Sequence, residues 1–142
     1  MIGGLLKRKK LFEEALTHYY SAYEVFNDDL YAIVNLGAIS AVLRREADAK
    51  RYYAELAKLC RAKMANGPSD HWNHLCLGEA FVYSGDALSA GNEYKSAVKL
   101  GAPVGDLRSA VEQLEFFLAN NVQVTVAQEV LASILRPVVQ NS

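Results

Sequence analysis

The chain has 142 residues, of which 51% are apolar and 22% charged, and a formal net charge of −1. That is enough chain to bury a core without disulfide or metal staples, and the composition excludes a disordered segment. Near-neutrality argues against a dedicated binder of nucleic acid or of membrane surfaces. The charge is uneven: residues 1–66 carry 11 basic and 8 acidic side chains, whereas residues 67–142 carry 4 and 8.

Apolar residues recur at helical spacing along almost the whole chain, with no sustained alternation of the kind strands require. In chain order, helices are predicted over 2–9, 12–26, 30–43, 46–65, 70–83, 87–99, 105–119 and 123–136. Asn27-Asp28-Asp29, Ser69-Asp70 and Gly85-Asp86 supply capping side chains ahead of apolar runs. Gly67-Pro68 and Gly101-Ala102-Pro103 are breaks, and Pro137 is expected to end the last apolar stretch. The opening Met-Ile-Gly-Gly-Leu-Leu precedes the basic run Lys7-Arg8-Lys9-Lys10, the reverse of a secretory signal. Val122 to Val139 is too short and too polar to span a bilayer. Two cysteines, Cys60 and Cys76, make no disulfide framework and fit a reducing compartment. The expected location is cytoplasmic.

One spacing recurs three times. Gly3, Gly37 and Gly78 are each followed after twelve residues by Ala15, Ala49 and Ala90. Four residues later come Tyr19, Tyr53 and Tyr94, and three beyond those Ala22, Leu56 and Ala97. A glycine in the first helix of a pair and an alanine opposite let two helices approach closely. The aromatic is expected to fill the space between one pair and the next. The glycines are 34 and 41 residues apart, so seven residues are inserted at Arg61 to Ser69.

This pattern resembles the tetratricopeptide repeat. Leu36-Gly37 and Leu77-Gly78 match its Leu-Gly pair, Ala15, Ala49 and Ala90 its central alanine, and Tyr19, Tyr53 and Tyr94 its second-helix aromatic. The likeness covers residues 12–100. It departs from the pattern at Ile33 and His74, where the family has an aromatic, and in lacking the closing proline near Asn27 and Asp70. A narrower likeness lies in Tyr31 to Gly37, the helix through Cys60, Asp70-His71-Trp72, Gly85-Asp86, Ala102-Pro103-Val104 and Leu107-Arg108-Ser109. These segments are similar to the TRAFs-binding domain of apoptosis-signal-regulating MAP kinase kinase kinases and bacterial relatives. Kinase activity does not follow, because the catalytic domain is absent here.

The resemblance implies an all-α superhelix of antiparallel helix pairs in a single domain. Residues 1–27 form a truncated first repeat, 30–66 the second, 70–100 the third and 105–137 a capping helix pair. Gly3 stands at the repeat's eighth position, so the first helix is expected to lack its opening turn. The resemblance also places Tyr31, Val34, Ala38, Ala41 and Val42, with Trp72, Leu75, Glu79, Val82 and Tyr83, along the concave face. Tyrosine and tryptophan anchor interfaces, so the expected activity is binding of a peptide or helix in an apolar groove. A subset of the family clamps a peptide carboxylate with Lys, Asn and Arg. Val34, Ala38 and Leu75 occupy lining positions here, so no clamp is expected. The alternative is that the last two helices, or a neighbouring domain, fold over this groove.

Other chemistry is thin. His71 and His74 share a helical face and Cys76 lies nearby, but no third metal ligand is evident. Packing or surface roles compete with ligation there. No nucleophile motif, phosphate loop or Cys-x-x-Cys is present. Glu13-Glu14 and Asp28-Asp29 read as helix-start charges and solvated faces, and Lys7 to Lys10 as a basic helix end. The expectation is a non-enzymatic scaffold that binds a protein or peptide without cofactor, nucleic acid or membrane. The competing readings are a structural or self-assembling segment of a larger protein, homo-oligomers included, and a metal-dependent domain using His71 and His74.

Overall fold

The computed structural model describes residues 2–67 and 70–141, with side chains from residue 8 onward. Every regular element among them is helical, so the chain is all-α. In order these are α1 (Ile2–Val25), α2 (Leu30–Val42), α3 (Glu46–Ala65), α4 (His71–Ser84), α5 (Ala87–Lys99), α6 (Val104–Ala119) and α7 (Val124–Val130). A π turn (Leu131–Leu135) and α8 (Arg136–Gln140) complete the order. Among the described residues no helix is long and apolar enough to cross a membrane. Where a single domain is expected, the chain divides into two compact units, Met1–Glu55 and Leu56–Ser142, with the boundary inside α3.

In the first unit, α1 runs unbroken through the expected gap between residues 9 and 12. Lys9-Lys10-Leu11-Phe12 contains no breaker, and nothing there offers the backbone an alternative to the helix. Gly3 and Tyr19 therefore lie on one helix, roughly 24 Å apart along its axis. The first Gly–Tyr pair cannot meet, and Ile2–Val25 is one helix where the expected first repeat has two. Helix α2 starts where Asp29 accepts hydrogen bonds from the Tyr31 and Ala32 amides. It is apolar on nearly all sides, and Leu36 to Ala41 are buried without interruption.

Helix α3 reaches α2 through one close approach. A Cβ on Gly37 would lie 2.9 Å from the Tyr53 ring, closer than carbon atoms pack. The ring thus rests on the glycine of its own helix pair. It does not fill the gap to the next pair as expected, because a residue without a side chain leaves room for an aromatic against the backbone.

The second unit repeats the device. A Cβ on Gly78 in α4 would meet the Tyr94 ring of α5 at 2.9 Å, and Tyr94 is only 1% exposed. Asp70 and Asp86 cap α4 and α5 through the Trp72 and Ser89 amides. Ser69 and Pro68 lie outside the described residues. Gly85 ends α4 in the left-handed region, at φ 85°, where a side chain would be strained. Leu107, Leu114 and Phe117 of α6, with Ala127, Val130, Leu131 and Leu135, complete this unit's core.

Pro137 does not end the last helix, which continues to Gln140. Proline lacks the N–H that would bond the residue 133 carbonyl, and its ring crowds that carbonyl. The π turn just before it widens the helix and opens that contact.

The two glycines should be intolerant of even one carbon. Gly37→Ala and Gly78→Ala are each expected to cost about 1–3 kcal/mol by overpacking. Gly105→Ala in α6, whose Cβ would meet nothing within 4 Å, should be neutral or stabilise by up to about 1 kcal/mol. Denaturant midpoints of the three variants against the parent chain check this ordering.

Candidate functional site

The expected groove residues divide between the two units. In the first, Val34, Ala38 and Ala41 are buried, Val42 is half-buried, and only Tyr31 is exposed, at 57%. In the second, Leu75, Glu79 and Val82 are buried, while Trp72 and Tyr83 are half-buried. Six of the ten are therefore core residues and not an open lining. The reason lies in α2 and α4 themselves: a groove helix keeps one exposed stripe, whereas Asn73 to Ala80 are eight consecutive buried residues.

The second unit packs helices around α4. Glu79 accepts a hydrogen bond from the Gln113 amide of α6 at 3.3 Å. Gln123, held at φ 45° just before α7, donates from Nε2 to the Tyr83 carbonyl at 2.8 Å. That bond satisfies one of the last carbonyls of α4. Helix α6 and the residue ahead of α7 thus contact α4.

His71 and His74 share a helix but serve different neighbours. His71 Nε2 donates to Asp106 Oδ2 of α6 at 2.7 Å, and its Nδ1 lies 3.5 Å from Asp70. His74 Nδ1 donates to Glu93 Oε2 of α5 at 2.6 Å. An ionised carboxylate only accepts, so each bond fixes which ring nitrogen carries the proton. Among the described residues no group of three or more His, Cys, Asp or Glu is placed to hold a metal ion. Cys76, like Cys60 of α3, is a free and buried thiol. The carboxylate partners Glu93 and Asp106 lie 19 and 35 residues from their histidines. No local motif announces such partners.

Aromatic side chains gather in the first unit. Tyr19 and Tyr31 meet edge to face with centroids 5.8 Å apart, and Tyr23 meets Tyr52 likewise at 6.1 Å. Tyr23 donates its hydroxyl to both Glu55 oxygens at 2.8 and 2.9 Å. Arg51 lies over the Tyr52 ring, 5.0 Å from its centroid. The hydrogen bond to Tyr31, with burial, pushes Tyr19 up to about 12. The Glu55 bond raises Tyr23, and burial raises Tyr52. The basic run contributes nothing to this cluster: Arg8, Lys9 and Lys10 are exposed, and the Lys7 side chain lies outside those described.

Two outcomes follow from these contacts. Glu93→Ala leaves the enclosed His74 without an acceptor and should cost about 1–3 kcal/mol. Asp106→Ala breaks a wetter pair and should cost at most about 1 kcal/mol by denaturant unfolding. For the tyrosines, folding favours the neutral form over the ordinary value of 10.0. The stability they contribute is therefore complete below pH 10 and is lost as pH rises toward 12. Comparing unfolding midpoints at about pH 9 and about pH 11.5 should show that loss, and Tyr19→Phe should make it shallower.

Comparison with family models, with curated proteins and with solved structures gives no match to the chain.

Proposed function

We propose that this chain is a non-catalytic interaction module of the tetratricopeptide-like class, and that it contacts a protein segment through exposed apolar and aromatic side chains of its first unit. The fold-class reading is supported by the two glycine–tyrosine contacts, Gly37 with Tyr53 and Gly78 with Tyr94, made at the same sequence spacing. The binding reading is carried by one observation. Leu11, Tyr20, Val25, Phe26 and Tyr31 are large apolar side chains left exposed on α1, on the turn after it and at the start of α2.

Apolar and aromatic groups held in water are the usual raw material of an interface. Tyr31 is the member of the expected groove set that stays exposed, and its edge contact with Tyr19 pre-orders the ring. A rigid tyrosine loses little entropy on binding, which favours affinity. The ligand this chemistry fits is an extended apolar peptide or an amphipathic helix. A cytoplasmic setting accords with two free cysteines.

The test is affinity capture from the native source with the parent chain and with a Tyr20→Ala, Tyr31→Ala double variant, folding being checked by circular dichroism. At least one protein held by the parent should fall by roughly tenfold or more with the variant. Equal recovery from both overturns the reading.

A further inference from the structure

Two helices of the first unit set a carboxylate among aromatic rings. Tyr20 and Tyr23 stand three residues apart on α1, and Tyr52 and Glu55 three apart on α3, so each pair shares a helical face. Tyr23 joins the two pairs. Its ring centroid lies 6.1 Å from that of Tyr20 and 6.1 Å from that of Tyr52. Its hydroxyl donates to Glu55 Oε1 and Oε2 at 2.8 and 2.9 Å. Tyr52 is buried, Tyr23 and Glu55 are half-buried, and Tyr20 is 44% exposed, so the group is open to a ligand at Tyr20.

This group lacks a cation. The partner of Glu55 is a neutral hydroxyl, and among the described residues no ion pair reaches its carboxylate. Arg51, four residues earlier on the same helix, is the neighbour that could answer it. Its guanidinium is engaged elsewhere: it pairs with Asp48 at 3.4 Å and lies 5.0 Å from the Tyr52 centroid. A half-withdrawn carboxylate without a counter-charge is stabilised by any cation brought to it. The Tyr23 hydroxyl supplies one proton and leaves lone-pair sites on the carboxylate unused. The tyrosine ring faces are themselves attractive to a cation.

The same cluster indicates which cation. Arg51 over Tyr52 is a guanidinium already resting on one of these rings. A guanidinium stacks with its face while it donates hydrogen bonds in its plane, and it is more weakly hydrated than an ammonium. We infer that Tyr20, Tyr23 and Glu55 form a subsite for an arginine side chain of a bound peptide, with the guanidinium hydrogen-bonded to Glu55 and stacked on a tyrosine ring. The inference rests on the binding role proposed above and names the partner's chemistry: an apolar segment that carries an arginine.

The test is an NMR titration of the isotope-labelled chain with acetyl-Gly-Arg-Gly-amide, beside its citrulline and lysine analogues. Citrulline keeps the shape of arginine and lacks its charge. Saturable shifts are expected at Tyr20, Tyr23 and Glu55, with the citrulline peptide weaker by about fivefold or more and the lysine peptide by about twofold or more. Glu55→Gln keeps an acceptor for the Tyr23 hydroxyl and should weaken the arginine peptide by about fivefold or more. Tyr20→Ala should weaken it by about two- to fivefold. The absence of saturable shifts at these residues, equal binding of the arginine peptide and either analogue, or unchanged affinity in Glu55→Gln would each overturn the inference. If Tyr20→Ala does not fold, Glu55→Gln and the parent chain decide. The peptide is added directly, so the result is independent of capture from the native source. A captured partner lost from the Tyr20→Ala, Tyr31→Ala variant, without arginine binding, overturns this inference alone. Arginine binding with equal capture supports the subsite and overturns the wider binding role.

Discussion

A missing carbon governs how both units pack. At Gly37 and again at Gly78 the absent Cβ lets a tyrosine ring lie directly on the backbone of the neighbouring helix. A helix pair closed in this way brings its axes near the short end of ordinary interhelical distances. Dispersion contacts then extend over the whole tyrosine face, and the glycine's low helix propensity, a cost of about 1 kcal/mol, is offset by that packing. Ala49 and Ala90, both 0% exposed, keep the second helix of each pair equally slim one turn away.

Around α4 this close approach is one of several contacts. Tyr94 closes it against α5, Gln113 and Asp106 bind it to α6, and Arg61 brings the end of α3 to it, lying 5.7 Å from the Phe81 ring centroid. Polar groups carry much of this. His74 and Glu79 are tolerated in the interior because each has a partner of complementary hydrogen-bonding character. The helix therefore reads as mixed in sequence yet behaves as core.

That mixture explains what could be read in advance. The helices, the Asp29, Asp70 and Asp86 caps and the close-approach glycines are local or fixed-interval signals, and each has a physical cause within a few turns. The continuity of α1 and the survival of the last helix past Pro137 escape sequence patterns for opposite reasons. The first needed no breaker to be inferred, and the second turned on a local change of helix pitch that no residue type encodes. The candidate groove failed at a different level. Helical periodicity picks out a buried face only when another face is polar, and Leu30–Val42 has almost no polar face to contrast with. The partners of His71, His74 and Glu79 sit on other helices, so only the folded chain reveals them.

The run of eight buried residues in α4 bears on how such a sequence can drift. Surface helices accept most substitutions on their wet side, which lets lineages diverge while the fold persists. A helix enclosed on several sides has no such side between Asn73 and Ala80. A change of side-chain volume there is felt by the helices packed against it. The outward positions of α5 and α6, such as Asn92, Lys95, Arg108 and Glu112, are exposed and free of that constraint. In relatives of this chain, α4 would be the segment by which kinship is recognised last.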